Sequence, residues 1–292
     1  MISSIVGATA ILALLAWLIL TLAGERTTAA GAQLPGLFDP SRWDIFNDLA
    51  VWRSLGQGAL NTLAMAAVAA VLALIIGVLF SFGRTARSRA VRIPVTVVLE
   101  FFRGMPVLLM MLFVLLVFST GTYWAGVAAL AVYNGAIIGE ALRAGIQSLP
   151  AGQREAGLAV GLTPLATRFR IEFPQAFRQM LPIIVAQLVV LLKDTSLAYI
   201  VGYTELLRTS TNLSNFFGNR YAFSFFFIVL AIYLAMNLTL SWVARRLAAR
   251  SPGGRDTRRV ARAAIGENAD TTVIVIPRDP DRTGEDRPPP GH

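Results

Sequence analysis

Six apolar runs decide what this chain can fold into: residues 5–22, 60–82, 95–118, 123–146, 181–201 and 223–243. A hydrocarbon layer about 30 Å thick is crossed by about 20 residues of helix. Inside that layer no water can satisfy backbone N–H and C=O groups, so each run is expected to be helical. Composition agrees: 55% of the 292 residues are hydrophobic and 15% are charged, too apolar for an ordinary soluble domain. The expected class is an all-α membrane protein. Residues 5–22 could pass for a signal peptide. No basic residue precedes them and the run is long, so they are expected to stay as a helix.

Charge placement sets the orientation. The net charge is +9, but residues 251–292 hold seven Arg against seven Asp and Glu, so the excess lies elsewhere. A basic soluble chain would point to nucleic acid. Here the arginines flank apolar runs, the pattern of membrane topology. Segments 83–106, 143–178 and 245–250 carry thirteen Arg; the alternate segments carry five Arg against five acids. Both termini are therefore expected in the cytoplasm, with 24–54 and 202–221 as external loops. A short interfacial helix is expected around Trp43 and Trp52. The alanines 64, 66, 67, 69, 70 and 73 give the second run a small-residue face for close packing. The third run carries Glu100 and Arg103 in its first turns, then Gly104-Met105-Pro106, and Ser119-Thr120-Gly121-Thr122 is an uncharged turn.

Several chemistries are missing. There is no cysteine, and the single histidine is His292. Thiolate and histidine metal sites and histidine-based catalysis are not expected, nor is any cofactor. Lys193 is the only lysine, preceded by Leu192 and followed by Asp194, so no P-loop exists. No catalytic residue is assigned.

Residues 140–182 are a polar, helix-capable stretch between two apolar runs. Pro150 suits the first turn of a helix that runs through Gln153, Arg154, Glu155 and Ala156. Gly161 can end it in a left-handed conformation. Thr163-Pro164 repeats the N-terminal device, and Phe173-Pro174 is expected to stop the second helix. Glu155 beside Ala156, Gly157 and Ala159 places a carboxylate on a small-residue surface open to a partner's groove. An amphipathic element lying on membrane lipid is the other reading, and Arg154, Arg168, Arg170 and Arg178 suit it. On residue types alone the two stay open.

Glu155-Ala156-Gly157, then Gly161, Ile171, Glu172 and Phe173-Pro174, resemble the "EAA" signature of ABC importer permeases. Gly157 stands where that signature has a second Ala, and Phe173 where it has Leu. Residues 101–109, 140–156 and 191–202 resemble the polar amino acid branch, and the similarity spans about residues 55–247. The resemblance implies a type I importer permease fold of five core helices, here with one extra N-terminal transmembrane helix. It implies domains at 1–54, 55–247 with a coupling loop at 147–180, and a cytoplasmic tail at 248–292, read from composition as disordered. It implies two ABC ATPase subunits, a second permease subunit, identical or related, and an extracytoplasmic solute-binding protein, in the bacterial inner membrane. Gln153, Arg154, Glu155, Ala156, Gly157, Gly161, Ile171 and Pro174 are its ATPase-coupling residues. The substrate class is a polar amino acid, glutamate or glutamine first.

Polar groups inside the runs are costly and mark pathways or paired sites. Glu100, Arg103, Asn134, Glu140, Lys193, Asp194, Thr195 and Ser196 are the candidates for pathway or dimer contacts. Lys193 and Asp194 fall midway along the fifth run, with Glu100 or Glu140 as expected partners of Lys193. A structural knot is preferred to substrate contact. An ion-coupled secondary transporter or channel relaying through Lys193 and Asp194 is the alternative function.

Overall fold

The computed structural model describes residues 33–249 throughout and some residues before them. The expected helix at 5–22 lies largely, and the tail from 250 wholly, outside the described residues. Two short strands, β1 (Arg26–Thr27) and β2 (Gln33–Leu34), pair antiparallel. Two 3₁₀ turns follow, Pro40–Arg42 and Asp44–Asn47. Trp43 lies between them, whereas Trp52 belongs to the long helix that comes next.

That helix, α1, runs Leu49–Arg84, with the Asp48 carboxylate capping it by accepting from the Ala50 N–H at 2.8 Å. It buries Thr62, Met65, Ala66, Ala69, Ala73, Gly77 and Ser81, a row at spacings of three and four. Ala64 and Ala67 were expected on the packing face and are exposed instead, because the helical period turns them to the other side. Lipid tails are as apolar as leucine, so helix association here depends on close packing and interhelical hydrogen bonds. The central helix α4 (Thr122–Gln147) meets that need, burying Leu130, Ala131, Ile138 and Leu142 against α1 and its neighbours.

The third run is not one rod. It forms α2 (Arg89–Gly104) and α3 (Val107–Phe118), which meet at 106°. Pro106 lacks an N–H and forces the preceding Met105 into an extended conformation, φ −86° and ψ 129°. The turn after α3 is as short as expected, closed by Ser119 in the left-handed region at φ 50°.

After α4 come α5 (Ala151–Ala159) and α6 (Pro164–Thr167), then a π-helical turn Arg168–Glu172 that leads into α7 (Phe173–Asp194). Phe173-Pro174 therefore does not stop a helix. The Phe173 N–H reaches back to the Arg168 carbonyl, and the widened turn accommodates the N–H that Pro174 lacks. A 3₁₀ turn, Thr195–Tyr199, ends this arm. The expected loop at 202–221 contains α8 (Leu206–Phe217), and α9 (Ala222–Ala249) completes the bundle. Among the described residues four helical segments are long and apolar enough to cross a membrane, or up to five if α2 and α3 form one bent span.

Candidate functional site

The loop between α4 and α7 is built as a rigid bracket. The Gly161 N–H donates to the Leu158 carbonyl at 3.0 Å, and the Leu162 N–H donates to the Gly157 carbonyl at 3.1 Å. This pair of bonds closes α5 with Gly161 at φ +82°, the left-handed end its residue type suggested. Thr163 then caps α6, its hydroxyl accepting from the Ala166 N–H at 3.2 Å.

Gly157 is the one buried residue of α5. A Cβ there would stand 2.5 Å from Thr167 Cγ2 and 2.9 Å from Ile171 Cδ1. Its small size serves packing within the chain, which corrects the expectation that it faces a partner's groove. Ile171 forms the other side of this contact, and Pro174 sits in the first turn of α7. Gln153, Arg154, Glu155 and Ala156 are exposed, with Gln153 accepting from the Gln175 side chain at 3.0 Å. Beyond them Val160 and Leu165 are exposed as well.

Aromatic rings bolt the bracket to α1. Phe82 stacks on Phe169 with centroids 4.2 Å apart and planes 10° off parallel, and Phe173 stands 5.2 Å from Phe82. The Arg168 guanidinium donates to the Thr85 carbonyl and pairs with Glu172 at 3.5 Å. Of the two departures from the signature, Gly157 thus sits in a contact within the bracket and Phe173 in one that fixes the bracket to α1.

At the same end of the bundle lies an ionic cluster. Arg84 pairs with Glu140 and, at 3.2 Å, with Glu100; Arg103 also holds Glu100 at 3.2 Å. Arg143 grips Glu140 through two nitrogens, at 2.6 and 2.9 Å. Glu100 and Glu140 are therefore committed to arginines of α1, α2 and α4. This corrects their expected pairing with Lys193. Arg84, read in the sequence only as an orientation marker, is the partner that local pattern could not reveal; Arg143 stands three residues after Glu140 on the same helix, a spacing that helical geometry brings together.

Asn134 is fully buried, donating to the Leu130 carbonyl and accepting from Gln187 Nε2, each at 2.8 Å. It ties α4 to α7 and is not exposed to a pathway or a second chain. Thr195 is also fully buried, its hydroxyl bonded to the Leu192 carbonyl at 2.6 Å. Lys193 and Asp194 are the last residues of α7, where the α-helix gives way to the 3₁₀ turn that carries the segment on to Tyr199. Lys193 is exposed on the stripe that also exposes Ile183 and Val190, and it makes no ion pair among the described residues. Asp194 is half-buried beside it, and the Ser196 hydroxyl is bound to the Lys193 carbonyl at 2.9 Å.

Glu205 escaped notice as one charge of an external segment. It is fully buried, caps α8 by accepting from the N–H groups of Leu207 and Arg208 at 2.8 and 2.7 Å, and accepts from the Tyr233 hydroxyl at 2.6 Å. Burial raises its pKa above the ordinary value, against the opposing pull of these three donors.

An apolar helical bundle with a largely exposed polar bracket at one end defines a helical membrane protein. Residues 70–251 match the family of binding-protein-dependent transport system inner membrane components. The chain belongs to this family of ABC importer permeases. It is 34% identical over 244 residues to the glutamate transport system permease protein GluD of Corynebacterium glutamicum, covering 80% of this chain and 88% of that one. It is 33% identical to the probable glutamine ABC transporter permease protein GlnP of Bacillus subtilis, covering 67% of this chain and 93% of the relative. Among solved structures, an amino acid ABC transporter crystallised with histidines matches with a TM-score of 0.64 at 25% identity, covering 71% of this chain and 98% of that one. The MetNI methionine transporter matches in fold with a TM-score of 0.59 at 18% identity. The type I importer permease fold expected from the resemblance is the fold observed.

Proposed function

We propose that this chain is the permease subunit of an ATP-driven importer that moves a polar amino acid, glutamate or glutamine first, by alternating access. One observation carries the proposal: α5 exposes every residue but Gly157, packs through that glycine on α6 and the π turn, and the π turn in turn is stacked on α1 through Phe169 and Phe82. A helix so fastened can receive a push from an ATPase at Glu155 and pass it to the spans. The chain carries no P-loop of its own, so that push comes from partner subunits. The glutamate and glutamine names of the relatives favour the substrate class.

In this reading the arginine-rich end of the bundle faces the cytoplasm, and both termini lie on that side. The unit 55–247 is the permease core, 1–54 adds a membrane helix and an external segment, and 248–292 is a tail. A second permease subunit packs beside this one, with the exposed stripe of Ile183, Val190 and Lys193 toward the pathway between them. A solute-binding protein delivers substrate from outside.

The test is uptake of radiolabelled glutamate and glutamine into cells carrying the full transporter. Glu155→Arg is expected to abolish uptake while membrane insertion stays intact. ATP-coupled uptake at the normal rate by this variant would overturn the coupling role. Uptake that survives ATP depletion but collapses with a proton ionophore would replace the proposal with an ion-coupled carrier.

A further inference from the structure

A cavity of about 550 Å³ opens between the last turns of α1 and the segment from α6 into the π turn. Its lining has two characters. Leu79, Phe82, Leu165 and Phe169 give an apolar wall, and Leu79 and Leu165 are 65% and 64% exposed. Arg87, Arg154 and Arg168 give the charge, and no carboxylate lines the cavity. Arg168 is held in place by Thr85 and Glu172, while Arg87 and Arg154 make no ion pair among the described residues.

The place matters as much as the lining. Leu79 and Phe82 belong to the end of a membrane span, just before Arg84. The apolar wall therefore stands at the edge of the hydrocarbon layer, where water reaches it unless a lipid chain covers it, with the guanidiniums at headgroup level. A soluble anion would satisfy the arginines and leave the wall in contact with water. An uncharged lipid would cover the wall and leave the guanidiniums without a partner. Guanidinium groups bind phosphate oxygens through paired donors, and basic pockets at this depth attract anionic headgroups.

We propose that this cavity binds an anionic phospholipid of the phosphatidylglycerol type, phosphate against Arg87, Arg154 and Arg168, acyl chain along Leu79 and Phe169. Because Arg154 and Arg168 belong to the bracket, the bound lipid fastens the bracket to the membrane boundary. Arg154 is also among the residues assigned to ATPase coupling, so the test varies Arg87 and Leu165, which lie outside that set.

The test is native mass spectrometry of the full-length chain, with any co-purifying subunits, titrated with phosphatidylglycerol or phosphatidylcholine. The wild type is expected to retain phosphatidylglycerol in preference to phosphatidylcholine, in the presence of excess inorganic phosphate. Arg87→Gln is expected to weaken phosphatidylglycerol retention roughly fivefold, with phosphatidylcholine unchanged, and Arg87→Lys to restore most of it. Leu165→Ser, which leaves the charges intact, should also weaken retention and serves if Arg87→Gln does not fold. Equal retention of the two lipids, equal phosphatidylglycerol retention by wild type and the folded variants, or full displacement by inorganic phosphate would overturn the proposal.

Discussion

Gly157 and Thr167 touch so closely that a Cβ on the glycine would stand 2.5 Å from the threonine methyl. This contact sets the distance between α5 and the end of α6. Gly157→Leu is expected to cost about 1–3 kcal/mol of local packing and to push α5 outward. ATP-dependent uptake should fall severalfold, measured in cells with equal amounts of inserted protein. Thr167→Ala removes the methyl, so it should rescue a milder Gly157→Ala variant; absence of rescue would mean that the contact does not set the spacing.

Gly161 holds φ at +82°, where a β-branched side chain is strained by about 1–2 kcal/mol. Gly161→Val is expected to undo the hydrogen bonds that close α5 and to lower uptake. Gly161→Asn, which tolerates this conformation, should retain most of it. Parallel uptake assays of the two variants make the comparison, and equal loss in both would argue against a conformational cause.

Arg84 and Glu140 join α1 to α4, with Arg143 and Glu100 completing the cluster. The Arg84 and Glu140 side chains keep 14% and 25% of their exposure, so the pair is only partly desolvated. Glu140→Gln is expected to cost roughly 1–3 kcal/mol, below the figure for a fully buried broken pair. Thermal unfolding in detergent reads this directly. A cycle of Glu140→Gln with Arg143→Gln should show coupling, because both side chains serve one ion pair.

Glu205 gives the pH prediction. Burial raises its pKa, so between its ordinary and its raised value the folded chain holds a proton that the unfolded chain has released. Folding then binds more protons than unfolding, and stability falls as pH rises through that window, from about pH 4 upward. Glu205→Gln removes the titration and should flatten this slope in thermal unfolding across pH. Glu205→Ala should lower stability at every pH, by about 1–2 kcal/mol for the lost cap alone.

The bracket's ends were legible because their causes are local. Gly161 and Thr163 act within one turn, and residue type alone indicates what each does. Pro174 misled for the same reason: the local rule says that a helix stops, and the stacking of Phe82 on Phe169 holds the segment in a π turn that continues it. The bend at Met105-Pro106 lay in plain view as a dipeptide, yet its 106° angle depends on what α2 and α3 pack against. Arg103 and Arg143 pair with Glu100 and Glu140 at helical spacing, but Arg84 reaches both carboxylates from another helix, as Tyr233 reaches Glu205. No periodicity carries the pairings between helices. The alanine face of α1 was half legible, since composition named the residues and only the helical phase chose among them.

The proposed function makes α5 the place where a partner ATPase grips this chain. The chain has no cysteine, so one introduced thiol gives an unambiguous site. Glu155→Cys and, at the far end of the bundle, Ser119→Cys would each be co-expressed with the partner ATPase and treated with a short thiol-to-amine cross-linker. The expected result is an ATPase adduct from Glu155→Cys and none from Ser119→Cys. An intact, transporting complex in which Glu155→Cys gives no adduct would contradict the account.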